Sequence, residues 1–289
     1  MSAADQRPAP GLHLVATPIG NLGDISARAI QVLKGADAIA CEDTRVTGKL
    51  THAFGIATPL LSYHEHNAER MRPRLLARLR DGERIALVSD AGTPLVSDPG
   101  YKLVREAAES GISVFAIPGA SAALAALIVS GLPTDRFFFQ GFLPAKAGAR
   151  RSVLAEIAAI PATLIVFEAA RRLGPALAEI ADVLGDREAA VGRELTKLHE
   201  EVRRGPLSGL AAHYEASPGK GEAVIVIAPP GETVVDAESA AADIDARLRQ
   251  LLATVGVKEA ATAVALEFGI PRRDAYARAL ALRESGGER

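Results

Sequence analysis

Short, unbroken apolar runs bounded by glycine, proline or charge set the strongest constraint on how this chain folds. They include IALV at 85–88 and TLIVF at 163–167. A strand with one wet face alternates apolar and polar residues; these runs do not, so sheets covered on both faces are expected. Amphipathic stretches separate the runs, which is the pattern of α/β units. The predicted strands are Leu12–Ala16, Ala36–Cys41, Arg84–Ser89 and Ser113–Ile117, then Phe137–Gln140, Thr163–Phe167, Glu188–Gly192 and Ala223–Ala228. Predicted helices include Asn67–Arg80, Pro99–Ser110, Ser121–Ser130 and Arg171–Leu184. No repeat of solenoid period is present.

The chain has 289 residues, 48% of them hydrophobic, enough for about two domains. A strand ends at Pro118-Gly119, and Pro229-Pro230-Gly231 stops another. Residues 1–10 are therefore read as a disordered N-terminus, 11–118 as a first α/β domain, 119–231 as a second, and 232–289 as a helical segment. In that segment Asp236–Ala253 has helical spacing. Val257–Phe268 and Pro271–Leu282 follow, joined by Gly269-Ile270. Two short helices around a glycine turn fit a helix-turn-helix or a helical cap on the body.

Several classes are excluded. One cysteine, Cys41, allows no intrachain disulfide and no cysteine-rich zinc site. No apolar run reaches the ~18 residues of a membrane span, and MSAADQRPAP lacks the apolar core of a signal peptide. A soluble, cytoplasmic protein is expected. The formal charge of −2 argues against a wholly basic nucleic-acid coat but allows local basic patches. Tryptophan is absent and aromatics make up 4%, so a multi-base stacking platform is not expected.

Three loops follow strands and are rich in small residues. The first, Thr17–Asp24, has glycines at 20 and 23 only, so it is not the GxGxxG dinucleotide fingerprint. The second runs from Ser89 to Gly100 after IALV, where open α/β sheets bind ligands at the carboxyl edge. Asp90 stands there as an acceptor for a ligand amine or hydroxyl, while Asp98 reads as the cap of a helix opened by Pro99. In the third, Ile117–Ala122, Ser121 is an expected N-cap, and the helix-start amides can hold a carboxylate. Cys41–Arg45 and His64–Asn67 are polar clusters, and Arg193–Glu201 is a run of mixed charge on a loop–strand edge. His64 and His66 flank Glu65, but no second histidine-rich segment completes a ligand set, so no metal is expected. Gly48-Lys49 is not a phosphate loop, because Asp43 and Leu50 stand where that motif needs a glycine and a hydroxyl residue. Cys41 reads as buried packing.

In order along the chain stand VATPIGNLGD, CEDTR, HEHN, VSDAGTPLVSDPG, IPGASA and GRELTKLHEE. Together they resemble the tetrapyrrole-methylase superfamily in its ribosomal RNA branch, from about Gly11 to Leu282. VKEAATAVALEFGIPRRDAYARAL is similar to that branch's C-terminal helix-turn-helix, and Cys41 departs from the expected small residue such as alanine. The resemblance implies an α/β, two-domain tetrapyrrole-methylase-like architecture with a C-terminal helix-turn-helix-like extension, working as a homodimer. It implies S-adenosylmethionine in the cleft between the domains and methylation of a cytidine ribose 2′-oxygen in the decoding centre of small-subunit (16S) rRNA. On matching positions, Pro18, Ile19, Gly20, Asp90, Thr93, Ser121, Ala122 and Phe167 would hold the cofactor.

Ribose methylation profits from a base that takes the hydroxyl proton. Glu42, Asp43, His66 and Glu194 are candidates, and Lys197 or Arg45 could steady a phosphate or developing alkoxide charge. RNA contacts are expected from Lys146, Arg150 and Arg151, from Arg171 and Arg172, and from Arg272 and Arg273. The alternative for each is a solvated surface charge.

Overall fold

The computed structural model describes residues 7–97, 100–231, 237–268 and 270–285. Contacts divide the chain into two compact units, residues 1–230 and 231–289. The boundary expected at 118–119 lies inside the first unit, between its two sheets.

The first sheet is wholly parallel. It contains β1 (Gly11–Val15), β2 (Ala38–Cys41), β3 (Leu60–Ser62), β4 (Arg84–Val88) and β5 (Val114–Ile117), in the order β3-β2-β4-β1-β5. The crossovers are α1 (Ala27–Gly35), α2 (Thr44–Ala53), α3 (Ala68–Arg80) and α4 (Tyr101–Glu109). Leu12, Ala38, Ala40, Ile85 and Leu87 pack on one face. Val15, Ile39, Cys41, Ala86 and Val88 pack on the other. This two-sided burial is why the strands read as continuous apolar runs. In register, Val15 pairs with Ile117 and Cys41 with Val88, so the carboxyl ends of four strands and their loops open on one edge.

Helix α5 (Ala122–Ser130) leads to the second, mixed sheet. Its strands are β6 (Phe137–Phe142), β7 (Thr163–Ala169), β8 (Glu188–Arg193), β9 (Glu201–Pro206) and β10 (Glu222–Ile227), in the order β6-β7-β10-β8-β9. Only β6 and β7 pair in parallel. Leu164, Val166, Val191 and Ile225 face α6 (Ala147–Ile157), α7 (Leu173–Leu184) and α8 (Leu207–Ala216). Ile165, Val224 and Val226 face α5, and Ile19 from the first loop joins that cluster. Helix α5 is apolar on nearly every side, capped by Ser121 at its start and by left-handed Gly131 at its end. Arg204 donates to the carbonyls of Val129 and Ser130 there.

Residues 7–10, read from sequence as disordered, are tied to the first sheet. Arg84 Nε donates to Pro8 O at 2.6 Å, His13 Nε2 lies 2.8 Å from Ala9 O, and Arg7 pairs with Asp37 at 2.7 Å. Asp37 also accepts from the Arg84 amide at 2.8 Å, which with the two guanidinium groups holds its carboxyl below the usual range. A depressed carboxylate pKa adds stability that is full above the unfolded value and is lost as pH falls through the folded one. Asp37→Ala should therefore be less stable than wild type at pH 7, with the difference shrinking as a urea titration is repeated below pH 4.

The second unit, described by itself, has α9 (Ala237–Leu252), α10 (Val257–Phe268) and α11 (Arg272–Ser285). Ile244, Leu248, Val264, Ala275 and Ala279 form its core. Helix α11 begins one residue after Pro271, whose carbonyl accepts from Asp274 and Ala275. The expected turn residue Gly269 lies outside the described residues, as do Asp98 and Pro99, the expected cap and helix opener.

Candidate active site

Three loops at the carboxyl edge of the first sheet are stitched together by main chain. Thr17 and Gly92 exchange amide–carbonyl bonds of 2.9 and 3.0 Å, and the Thr93 hydroxyl donates to Ala120 O at 3.1 Å. Gly92 has φ +77°, and a Cβ there would lie 3.3 Å from Ile19 Cγ2, so glycine serves both the turn and the close approach. Between these loops and the second sheet lies a cleft of about 980 Å³, its open mouth included.

Of the residues expected around a cofactor, Ile19, Asp90, Thr93, Ser121, Ala122 and Phe167 line this cleft. Pro18 and Gly20 flank Ile19, and Gly20 meets a different neighbour, since a Cβ on it would fall 2.4 Å from Lys197 Cγ. Phe167 packs edge-on against Phe139 and Phe142, with ring centroids 5.0 and 5.4 Å apart. Ala122 lies in the first turn of α5, where amides precede the first intrahelical bond. Asp90 is exposed, and its Oδ1 accepts from the Asp43 amide at 3.1 Å. The lining residues Phe142, Leu195 and Val224 were not singled out from sequence. The apolar strands of Phe142 and Val224 do not show which side chains face inward, and Leu195 is set among charged residues.

The far wall is the turn after β8. Glu194 and Thr196 have φ of +49° and +66°, and across the cleft Leu95 and Ser97 have +74° and +65°. Among the described residues these four are the only non-glycine positions with positive φ, and strain of this kind gathers at functional sites. Glu194 Oε1 accepts from Lys197 Nζ at 2.9 Å and from the Glu222 amide at 3.3 Å. The Lys197 contact is the main reason its carboxyl is held low. Gly221, with φ +86°, leaves the space Glu194 fills, because a Cβ there would sit 2.0 Å from Oε1.

The CEDTR turn splits its carboxylates. Asp43 caps α2, accepting from the Arg45 amide at 2.8 Å and pairing with the Arg45 guanidinium at 2.6 Å. Those bonds lower its pKa to about 2. Glu42 is half-buried, and burial, with the charge of Asp90 next, pushes its carboxyl above the usual range. In the HEHN turn Asn67 organises the main chain, accepting from the His64 amide and donating to Ser62 O, each at 3.0 Å. His66 is exposed, with its ring 6.0 Å from that of His64. No group of three metal-ligating side chains occurs among the described residues.

The basic residues divide. Arg150 is mostly buried and bonded to Glu179 of α7 at 2.6 Å. Arg172 clamps Glu168, a carboxylate only 2% exposed. Each thus holds a carboxylate that is itself largely out of solvent. Arg151 pairs at the surface with Asp182. Lys146, Arg171, Arg272 and Arg273 are exposed, as is Arg45 beyond its Asp43 contact.

Two solved structures share the two-sheet fold that frames this cleft. They are diphthine synthase (20% identity, 75% of this chain and 89% of that one, TM-score 0.61) and uroporphyrin-III-C-methyltransferase from Thermus thermophilus (22% identity, 76% and 94%, TM-score 0.53). At such identities the likeness shows the fold. The chain belongs to the tetrapyrrole (corrin/porphyrin) methylases, which match residues 11–211, and it is accordingly an enzyme of the methyltransferase class. The RsmI C-terminal HTH domain matches residues 238–283. A protein of Mesorhizobium japonicum is 50% identical over 280 residues, covering 96% of this chain and 94% of its own. One of Escherichia coli O157:H7 is 44% identical over 270 residues, covering 93% and 94%. Both carry the name ribosomal RNA small subunit methyltransferase I.

Proposed function

We propose that this enzyme transfers a methyl group from S-adenosylmethionine to the 2′-oxygen of a cytidine ribose in the decoding centre of small-subunit rRNA. It works in the cytoplasm as a homodimer. The observation that carries this reading is the 50% identity, across nearly the whole chain, to a relative named for small-subunit rRNA methylation. The cleft suits the donor: Ile19, Phe167 and Val224 offer an apolar wall, Gly92 leaves room, and Asp90 and the start of α5 offer polar partners. When bound, S-adenosylmethionine supplies a methyl group on a positively charged sulfur.

The chain's own task is alignment and removal of one proton. Alignment alone is worth effective molarities of ~10⁵–10⁸ M. Asp43 and Glu194 are poor bases, each held ionised by a cation beside it. Glu42, raised by burial, is the better proton acceptor. Lys197, packed over Gly20, sets a positive charge at the cleft wall, where it can steady the oxygen as its proton leaves.

The test is incubation of the protein and radiolabelled donor with small ribosomal subunits and, separately, with a corrinoid precursor. Label is expected in the RNA, at a cytidine 2′-oxygen by mass mapping; label in the tetrapyrrole carbon alone overturns the reading. Neutralising Arg272 and Arg273 together should weaken RNA binding and flatten its salt dependence, measured by titration at several salt concentrations.

A further inference from the structure

Beside the active-site cleft lies a second cavity of about 920 Å³, open mouth included. Glu194 lines both, so the two share a wall. The second is built from the end of β8, the loop after it, the last turn of α8 and the loop entering β10. Sheet register explains its chemistry. Arg193 stands opposite Glu201 of β9, and directly paired residues share a face. Phe167 and Gly192 occupy the alternate positions and face the first cleft. The end of this sheet thus presents one site on each face.

Both carboxylates of the second site are already paired, which leaves Lys220, among the described residues, as its unmatched cation. Glu201 accepts from Arg193 at 2.9 and 3.0 Å and from Arg203 at 3.1 Å. Glu194 is matched by Lys197. Lys220 is exposed and makes no ion pair among the described residues. It is held near Arg193 through Gly219, where a Cβ would come within 2.9 Å of Arg193 Cδ. Of the cations around these two carboxylates, Arg193 and Lys220 line the cavity while Lys197 and Arg203 pair with Glu194 and Glu201 from outside its lining, and His199 and His213 are further donors. Tyr214 closes the floor; its hydroxyl is buried without a well-formed hydrogen bond, and the charges of Glu201, Arg203 and Arg193 act on it.

Such a set of ammonium, guanidinium and imidazole donors suits a phosphate oxygen. Its common wall with the reacting cleft favours a phosphate on the same polymer as the acceptor ribose. The geometry points to a subsite that grips an RNA phosphodiester flanking the methylated nucleotide, with Lys220, His199 and His213 as its donors and Arg193 aligned by Glu201. This rests on the rRNA reading above.

The test uses the full-length double variant Lys220→Ala/His199→Ala, both positions being exposed. A labelled single-stranded oligoribonucleotide containing the target cytidine is titrated at several KCl concentrations. The variant should bind severalfold more weakly, and the slope of log K against log[KCl] should fall by about 0.7 per lost contact. With small ribosomal subunits KM should rise while kcat and donor binding hold within about twofold. In wild type, a neutral methylphosphonate at the flanking linkage should reproduce the loss, and it should add nothing in the variant. Unchanged affinity and slope overturn the subsite while leaving the rRNA reading intact. Loss of competition by inorganic phosphate, with RNA binding unchanged, assigns the cavity to a free anion and also overturns it. Wild-type protein that leaves small-subunit RNA unmethylated overturns both.

Discussion

Glu42→Gln is expected to lower methyl transfer to small-subunit RNA by ~10²–10⁴-fold, the range of a lost general base, while donor affinity stays at the wild-type value. The substitution keeps the shape of the side chain and removes only its ability to take a proton. Its neighbours explain why it is the choice. Asp43 is spent on the start of α2 and on Arg45. Glu194 is spent on Lys197 and the Glu222 amide. Glu42 is half-buried, with the like charge of Asp90 near it, and both raise its carboxyl pKa. A base must be ionised to act, so kcat should climb as pH rises through that raised value. The acidic limb of the profile then lies above the usual glutamate range and disappears in Glu42→Gln. A variant at full wild-type rate across pH would remove Glu42 from the chemistry.

The second large effect is expected at Gly20. A Cβ at this position would stand 2.4 Å from Lys197 Cγ and 3.0 Å from Thr196 Oγ1. Gly20→Val must therefore push the lysine and its turn away from the first loop. A displacement of about 1 Å near the reacting atoms can cost ~10²-fold in rate. Gly20 is exposed, so thermal stability should barely move. Gly48→Ala is the control: nothing lies within 4 Å of its added Cβ, and it sits inside α2. That variant should keep full activity and gain roughly 0.5–1 kcal/mol, the usual difference between glycine and alanine in a helix. A wild-type rate for Gly20→Val would mean that Lys197 need not stand where it does.

Much of this was legible in the residues. Apolar runs such as IALV and TLIVF announced strands buried on both faces, and each loop chosen for glycine and small residues opens onto the carboxyl edge of the first sheet. Other features were not. Strand β9, EVRRGP, lies on a sheet edge and carries charges instead of an apolar alternation. Phe142 and Val224 line the cleft from apolar strands, where only pairing register shows which side chains turn inward, and Leu195 lines it from within a charged run. Arg150 looked like one of a basic trio because its partner, Glu179, is 29 residues away. Asp43 and Glu42 are adjacent in sequence, and only the fold gives one to a helix cap and buries the other.

The chain's one thiol, Cys41, is fully enclosed beneath the first sheet, and burial raises its pKa. Maleimides and iodoacetamides, which attack exposed thiolates, should leave the native enzyme untouched. A cysteine added anywhere on the surface becomes the sole reactive handle, so a spin label or fluorophore can be attached to α5 or α11 without first removing a native residue.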